Sequence, residues 1–104
     1  MSLILHHIVL PSDWERQASL PYYEAESLTT EGFIHLSTPE QVEGTLQRFF
    51  KEFKQVFILH IDASLLEAKL VYEEVPQHGT FPHLFGRLNK KAVLQVEERF
   101  LSFS

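Results

Sequence analysis

The chain contains no cysteine. Disulfides, thiolate nucleophiles and zinc–thiolate centres are therefore excluded. No apolar run approaches the roughly 20 residues that a membrane-spanning helix needs, so no membrane partner is expected. The N-terminus lacks a basic stretch followed by a long apolar segment and a cleavage site. No signal peptide is read there, and a cytoplasmic location is expected. Positive charge is also sparse: Lys and Arg total 9 against 14 Asp and Glu, a formal net charge of −5. Generic nucleic-acid binding depends on neutralising phosphates and is not expected. The one tight basic cluster, Arg87 with Lys90 and Lys91, suffices for a single phosphate group. Repeats, low-complexity tracts and linkers are missing as well.

What remains is ample apolar material. The chain has 104 residues, 44% hydrophobic with 9 Phe, enough for one domain with a real core. Leu3 to Leu10 is apolar except at His6 and His7, and reads as a central strand buried on both faces. Pro11 ends it. Ser12 then reads as a helix N-cap with Glu15 completing a capping box, and Trp14 and Ala18 face inward. Pro21 to Thr30 is polar and reads as a loop. Gly32 to Thr38 is the second strand. Thr38-Pro39-Glu40-Gln41 is a strong helix start, with the cap at Thr38 and proline at the first helical position. Val42, Leu46, Phe49, Phe50 and Phe53 continue at helical spacing. Strands are expected at Gln55 to Ile61, Lys69 to Val75 and Ala92 to Phe100. Asp62 is expected to cap a short turn. Pro76 to Thr80 reads as a loop, and Pro82 to Phe85 as a short extended piece. The sum is an α+β domain with five or six strands and two main helices.

Two stretches stand out as chemistry: Glu31-Gly32-Phe33-Ile34-His35-Leu36-Ser37-Thr38 and Phe81-Pro82-His83-Leu84-Phe85-Gly86. Phe33, His35 and Ser37 share one strand face. Ser37 and Thr38 precede a helix start, whose unpaired N–H groups attract anions. The bland alternative is that both only cap the helix and that His35 is a packed polar residue. His83 is the one polar group in an apolar hexapeptide, and fits a pocket wall or an exposed edge equally. His6 and His7 point to opposite faces and cannot chelate one metal together. His60 and His78 read as structural or solvent-facing. Glu73 and Glu74 alternate in a strand, and an inward carboxylate near histidines is a candidate acid, base or ribose-binding group. A metal site on His7, His35 and His83 has suitable ligand types, yet no metal-binding spacing accompanies it, and none is assigned. No G-x-S-x-G elbow supports a serine hydrolase.

Taken together, His7-Ile8-Val9, Trp14-Glu15, the run from Glu31 to Gln41, Tyr72-Glu73 and the run from Phe81 to Gly86 resemble the domain-of-unknown-function 952 family of small bacterial proteins. The resemblance spans essentially the whole chain. Members often carry Tyr-His in the first strand, where this chain has His6, and Tyr-Gly-Pro after the last histidine, where it has Phe85-Gly86-Arg87. The resemblance implies a fold similar to the ADP-ribosyltransferase superfamily: a single domain with a split, mixed or antiparallel β-sheet whose cleft holds NAD in active relatives. A general similarity extends to the RNA 2′-phosphotransferases, which also carry a His-Leu-Ser segment. It further implies that His7 contacts a ribose and that His35 and Ser37 line the nicotinamide or phosphate side. Glu73 takes the glutamate position, and His83 is a family feature without a counterpart in those enzymes. Fold resemblance does not establish activity.

Three readings stay open. The first is an enzyme acting on NAD or on an ADP-ribosylated or 2′-phosphorylated nucleotide. There His35 and Glu73 are catalytic, and His7, Ser37, Thr38 and His83 hold the ligand. NAD enters as a substrate, and no resident cofactor is assigned. The second is a nucleotide- or metabolite-binding module without chemistry. The third is a structural or partner-binding domain. A monomer or weak dimer is expected in each case.

Overall fold

The computed structural model describes residues 3–102. Its elements in chain order are β1 (Ile4–Val9), α1 (Pro11–Arg16), β2 (Tyr22–Tyr23), α2 (Glu26–Thr30), β3 (Ile34–His35) and α3 (Val42–Phe49). They continue with β4 (Gln55–Asp62), β5 (Lys69–Val75), β6 (Gly79–Phe85), β7 (Leu88–Asn89) and β8 (Val93–Phe100). The strands form three small sheets, ordered β1–β4–β8, β3–β6–β5 and β2–β7. Every pairing is antiparallel. The result is a small single-domain α+β fold, and among the described residues there is none of the parallel pairing that a mixed sheet would need.

The β1–β4–β8 sheet is apolar on both faces because strand side chains alternate. Leu5, Val9, Leu59 and Ile61 fall on one side, where they join Ile34, Leu36, Leu84 and Leu88 in the larger core. Ile8, Val56 and Ile58 fall on the other side and pack against Val42 and Leu46 of α3. The helix therefore covers one face of this sheet, and the β3–β6–β5 sheet helps to cover the other.

Among the described residues, β1 meets the β3–β6–β5 sheet at a single isolated bridge between His6 and Ser37. The His6 N–H donates to the Ser37 carbonyl at 2.8 Å, and the Ser37 N–H to the His6 carbonyl at 2.7 Å. β1 thus has a full partner on one edge and a two-bond partner on the other. This is the seam at which the two sheets separate.

The start of α3 forms as its sequence suggests, with one refinement. The Thr38–Gln41 capping box is present, and Gln41 Oε1 accepts the Thr38 N–H at 3.0 Å. The first turn, Pro39–Gln41, is a 3-10 turn that passes directly into α3. Gln41 Nε2 also donates to the Thr80 carbonyl of β6 at 2.7 Å, tying the helix start to the hairpin. Asp62 caps its turn through Oδ1, which accepts the Ser64 N–H at 3.0 Å.

Three expectations need correction. Ser12 is not a cap: Leu10 is the N-cap, because Pro11 takes the first helical position, where its missing N–H costs nothing. The helix then stops at Arg16, which leaves Ala18 exposed while Trp14 packs on the larger core. Pro21 to Thr30 is not an irregular loop. Tyr23 is buried and pairs with Leu88, and Leu28 turns its apolar side to the core from α2. Finally, Pro82 to Phe85 belongs to a full strand, the central one of its sheet.

Gly86 follows β6 with φ +155°, and a Cβ built there would lie 2.7 Å from the Ala68 Cβ. Gly86→Ala is therefore expected to lower stability by roughly 2–4 kcal/mol, through backbone strain and overpacking together. Adding Ala68→Gly should restore part of the loss by removing the clash while leaving the φ strain. Urea unfolding of the two variants tests this. Equal loss in the single and double variants would show that the close approach contributes nothing.

Candidate functional site

The seam opens into a cavity of about 540 Å³. Its floor is β1, through His7 and Ile8. One wall is α3, with Thr45, Arg48 and Phe49. The other is the β3–β6–β5 sheet and its hairpin tip, with His35, Val75, His78, Phe81 and His83. Ser37 lines it at the bridge, and Glu31 at the end of α2.

His7 is buried, and both its ring nitrogens are engaged. Nδ1 donates to the His35 carbonyl at 2.7 Å, so Nε2 is the lone-pair nitrogen and accepts from the Tyr23 hydroxyl at 3.1 Å. Burial pushes the Tyr23 hydroxyl pKa up, which keeps it a donor. Burial likewise lowers the His7 pKa from 6.5 to about 4, against the opposing pull of the His35 carbonyl. His7 therefore brings a neutral ring to the floor with no nitrogen to spare. Its strand neighbour His6 faces away and packs edge-on against His60, with ring centroids 4.5 Å apart. His60 in turn bonds Glu97 at 2.8 Å.

Two histidine–glutamate pairs stand on the wall. His35 is exposed, and its Nε2 meets Glu31 Oε2 at 3.0 Å. His83 is only 5% exposed, and its Nδ1 meets Glu73 Oε1 at 2.7 Å. Val71 is the residue directly opposite His83 in the β5–β6 register, so Glu73 reaches the ring diagonally. The rings of His35 and His83 lie 5.3 Å apart, edge to face. Phe33 stacks flat on His83 at 4.1 Å and packs edge-on to His35 at 5.0 Å, holding the pairs together.

Of the residues singled out in the sequence, His7, His35, Ser37 and His83 come together at this cavity. Thr38 and Glu73 do not line it. The Thr38 N–H is taken by Gln41, and the Glu73 carboxylate acts on the cavity through His83. Ser37 Oγ lies 3.5 Å from Thr45 Oγ1, whose hydroxyl donates to the Gln41 carbonyl at 3.1 Å. The basic cluster is elsewhere: Arg87 lies over the Tyr22 ring, while Lys90 lies over Trp14 and donates to the Gln17 carbonyl. Among the described residues no group of three or more His, Cys, Asp or Glu is placed to hold a metal ion, and none of their helices is long and apolar enough to cross a membrane.

A family model for proteins of unknown function, DUF952, matches residues 8–96. The chain belongs to that family. Its fold is similar to the crystal structure of protein CC0527 from Caulobacter crescentus, at 25% identity over 97% of this chain and 88% of that one, with a TM-score of 0.81. The solution NMR structure of CC0527 is similar too, at 25% identity, 95% and 86% coverage and a TM-score of 0.81. Nothing among the curated proteins matches.

Several residues of this DUF952 site were not anticipated. Arg48 lies on the exposed side of an amphipathic helix, where a cation ordinarily serves solubility. His78 sits in a turn remote in sequence from the other site residues. Glu31 is marked only by its spacing of four from His35, a separation that brings ion pairs together in helices rather than at the helix–strand junction seen here.

The buried His7 makes a pH prediction. An unfolded chain protonates this residue near pH 6.5, and the folded chain only near pH 4. Between those values the unfolded state binds more protons, so stability falls as pH falls. From pH 7 to pH 5 the loss from this residue should be about 2 kcal/mol. The His6 pKa is also lowered, first by burial and then by His60, so it adds in the same direction. Urea unfolding across this range checks it. His7→Gln should flatten the dependence, and an unchanged slope would refute the assignment.

Proposed function

We propose that this cavity is the site of a small anion-bearing nucleotide of the NAD or ADP-ribose type, held in a scaffold of ADP-ribosyltransferase-like arrangement. Arg48 carries the reading. Its guanidinium stands at the cavity with no carboxylate partner among the described residues, 5.5 Å from the Phe49 ring and 5.8 Å from the Phe81 ring. A planar cation beside hydroxyls and histidines suits a phosphate, and the surrounding rings suit a base or nicotinamide. The volume falls within the range of ordinary ligand sites. The position of the cavity between two antiparallel sheets agrees with the split-sheet cleft that the family resemblance implies.

In the enzymatic form of this proposal, His35 is the exposed polar group at the reacting end. Glu73 acts by orienting His83. The engagement of His7 and Glu73 within the protein favours a second form, a binding module without chemistry.

Amide NMR titration with NAD, ADP-ribose and a 2′-phosphorylated nucleotide tests the shared premise. Shifts are expected at Gly32 to Ser37, around Arg48 and at His83. Arg48→Ala should weaken ADP-ribose binding about 10- to 100-fold, the value of a lost charge-assisted hydrogen bond. No shift with millimolar ligand would overturn the proposal. Nicotinamide release from NAD separates the two forms: if it occurs, Glu73→Gln should slow it while binding survives.

A further inference from the structure

We propose that the unit recognised is a nucleoside diphosphate, with its nucleoside end in the cavity and its second phosphate in an adjoining groove along α3. The inference rests on the anionic-nucleotide reading above and adds the number and the placing of the phosphates.

The groove has a volume of about 550 Å³ and is lined by Gly44, Gln47, Arg48, Phe49, Lys51 and His78. Arg48, Phe49 and His78 line the cavity as well, so the two spaces meet over these residues. Their character differs. The cavity carries Ile8, Leu36, Phe50, Val75 and Phe81, whereas Phe49 alone brings an apolar side chain to the groove. Arg48, Lys51 and His78 all offer N–H donors there. None of the described Asp or Glu residues lines the groove, although the chain carries a net charge of −5. All three donor residues are exposed, and among the described residues neither the Lys51 ammonium nor the His78 ring has an ion-pair partner.

Arg48 and Lys51 alone would be accounted for by the C-terminal end of α3, where cations offset the helix dipole. His78 is not accounted for in this way, because it reaches the groove from the turn between β5 and β6. Donors from two separate elements therefore converge on one space. Gly44 leaves part of its floor as bare helix backbone. A Cβ built there would stand 3.4 Å from Arg48 Nη1, so the guanidinium lies back over this glycine. Arg48 and Lys51 are three residues apart across the end of α3, the spacing of neighbours on a helix surface. A first phosphate at Arg48 thus leaves a second for Lys51 and His78, while the nucleoside takes the more apolar cavity. Anything attached beyond the second phosphate runs out into solvent.

The test is calorimetric titration, at fixed ionic strength, with adenosine 5′-monophosphate, adenosine 5′-diphosphate and ADP-ribose. The diphosphate should bind about tenfold more tightly than the monophosphate. ADP-ribose should bind no more tightly than the diphosphate. Lys51→Ala should remove most of the gain from the second phosphate. Lys54→Ala takes away an exposed cation that lines neither space, and it should keep that gain. Equal binding of the monophosphate and diphosphate would overturn this inference while leaving the cavity reading intact. So would an equal fall in Lys54→Ala, which would reduce the effect to general charge, or a much tighter grip on ADP-ribose, which would make the recognised unit larger. Failure of all three nucleotides to bind would overturn the reading beneath it as well.

Discussion

Among the described residues the two three-stranded sheets are stitched by one backbone bridge, and the site depends on the stitch. The His6–Ser37 bridge fixes the separation of β1 from the β3 segment, and the adjacent His7 Nδ1–H bond to the His35 carbonyl fixes its register. A buried imidazole is an expensive way to bridge two strands, because it surrenders the charged state. It does, however, let one side chain satisfy a backbone carbonyl on one side and a tyrosine hydroxyl on the other. Beyond the stitch the sheets diverge, and the gap between them is the cavity.

On its wall, two similar pairs have been placed in dissimilar surroundings. His35 and Glu31 meet in open solvent, where an ion pair contributes little to stability. His83 is buried against Phe33, and its bond to Glu73 acts chiefly on the direction of the ring. The same two residue types therefore form an exposed polar surface in one pair and a buried, oriented ring in the other. Burial makes the difference, and the Phe33 ring stacked on His83 supplies part of it.

Much of this was legible in the residues. The capping box at Thr38, the alternation along β4 and the shared face of His35 and Ser37 are local patterns, and local patterns survive folding. The misreadings have a common cause. The segment from Pro21 to Thr30 reads as polar loop because Tyr23 and Leu28 are too few to give a period, and their burial is decided by Leu88 and Trp14, distant in sequence. His83 reads equally as wall or edge in the sequence because the pairing of β6 with both β3 and β5 is what encloses it. Arg48 was silent for the same reason: what makes it part of a site is the hairpin opposite, not anything within its helix.

Gln41 joins these levels. Its carbonyl oxygen closes the first turn of the α3 segment, while its amide nitrogen holds the Thr80 carbonyl, next in sequence to the cavity-lining Phe81. The aperture and the helix start thus share one side chain. Widening the entrance by moving the hairpin outward pulls on the cap, so the gap cannot breathe without some fraying of the first turn. Glutamate at this position could still cap the turn but could no longer donate across the entrance, and the two motions would become independent.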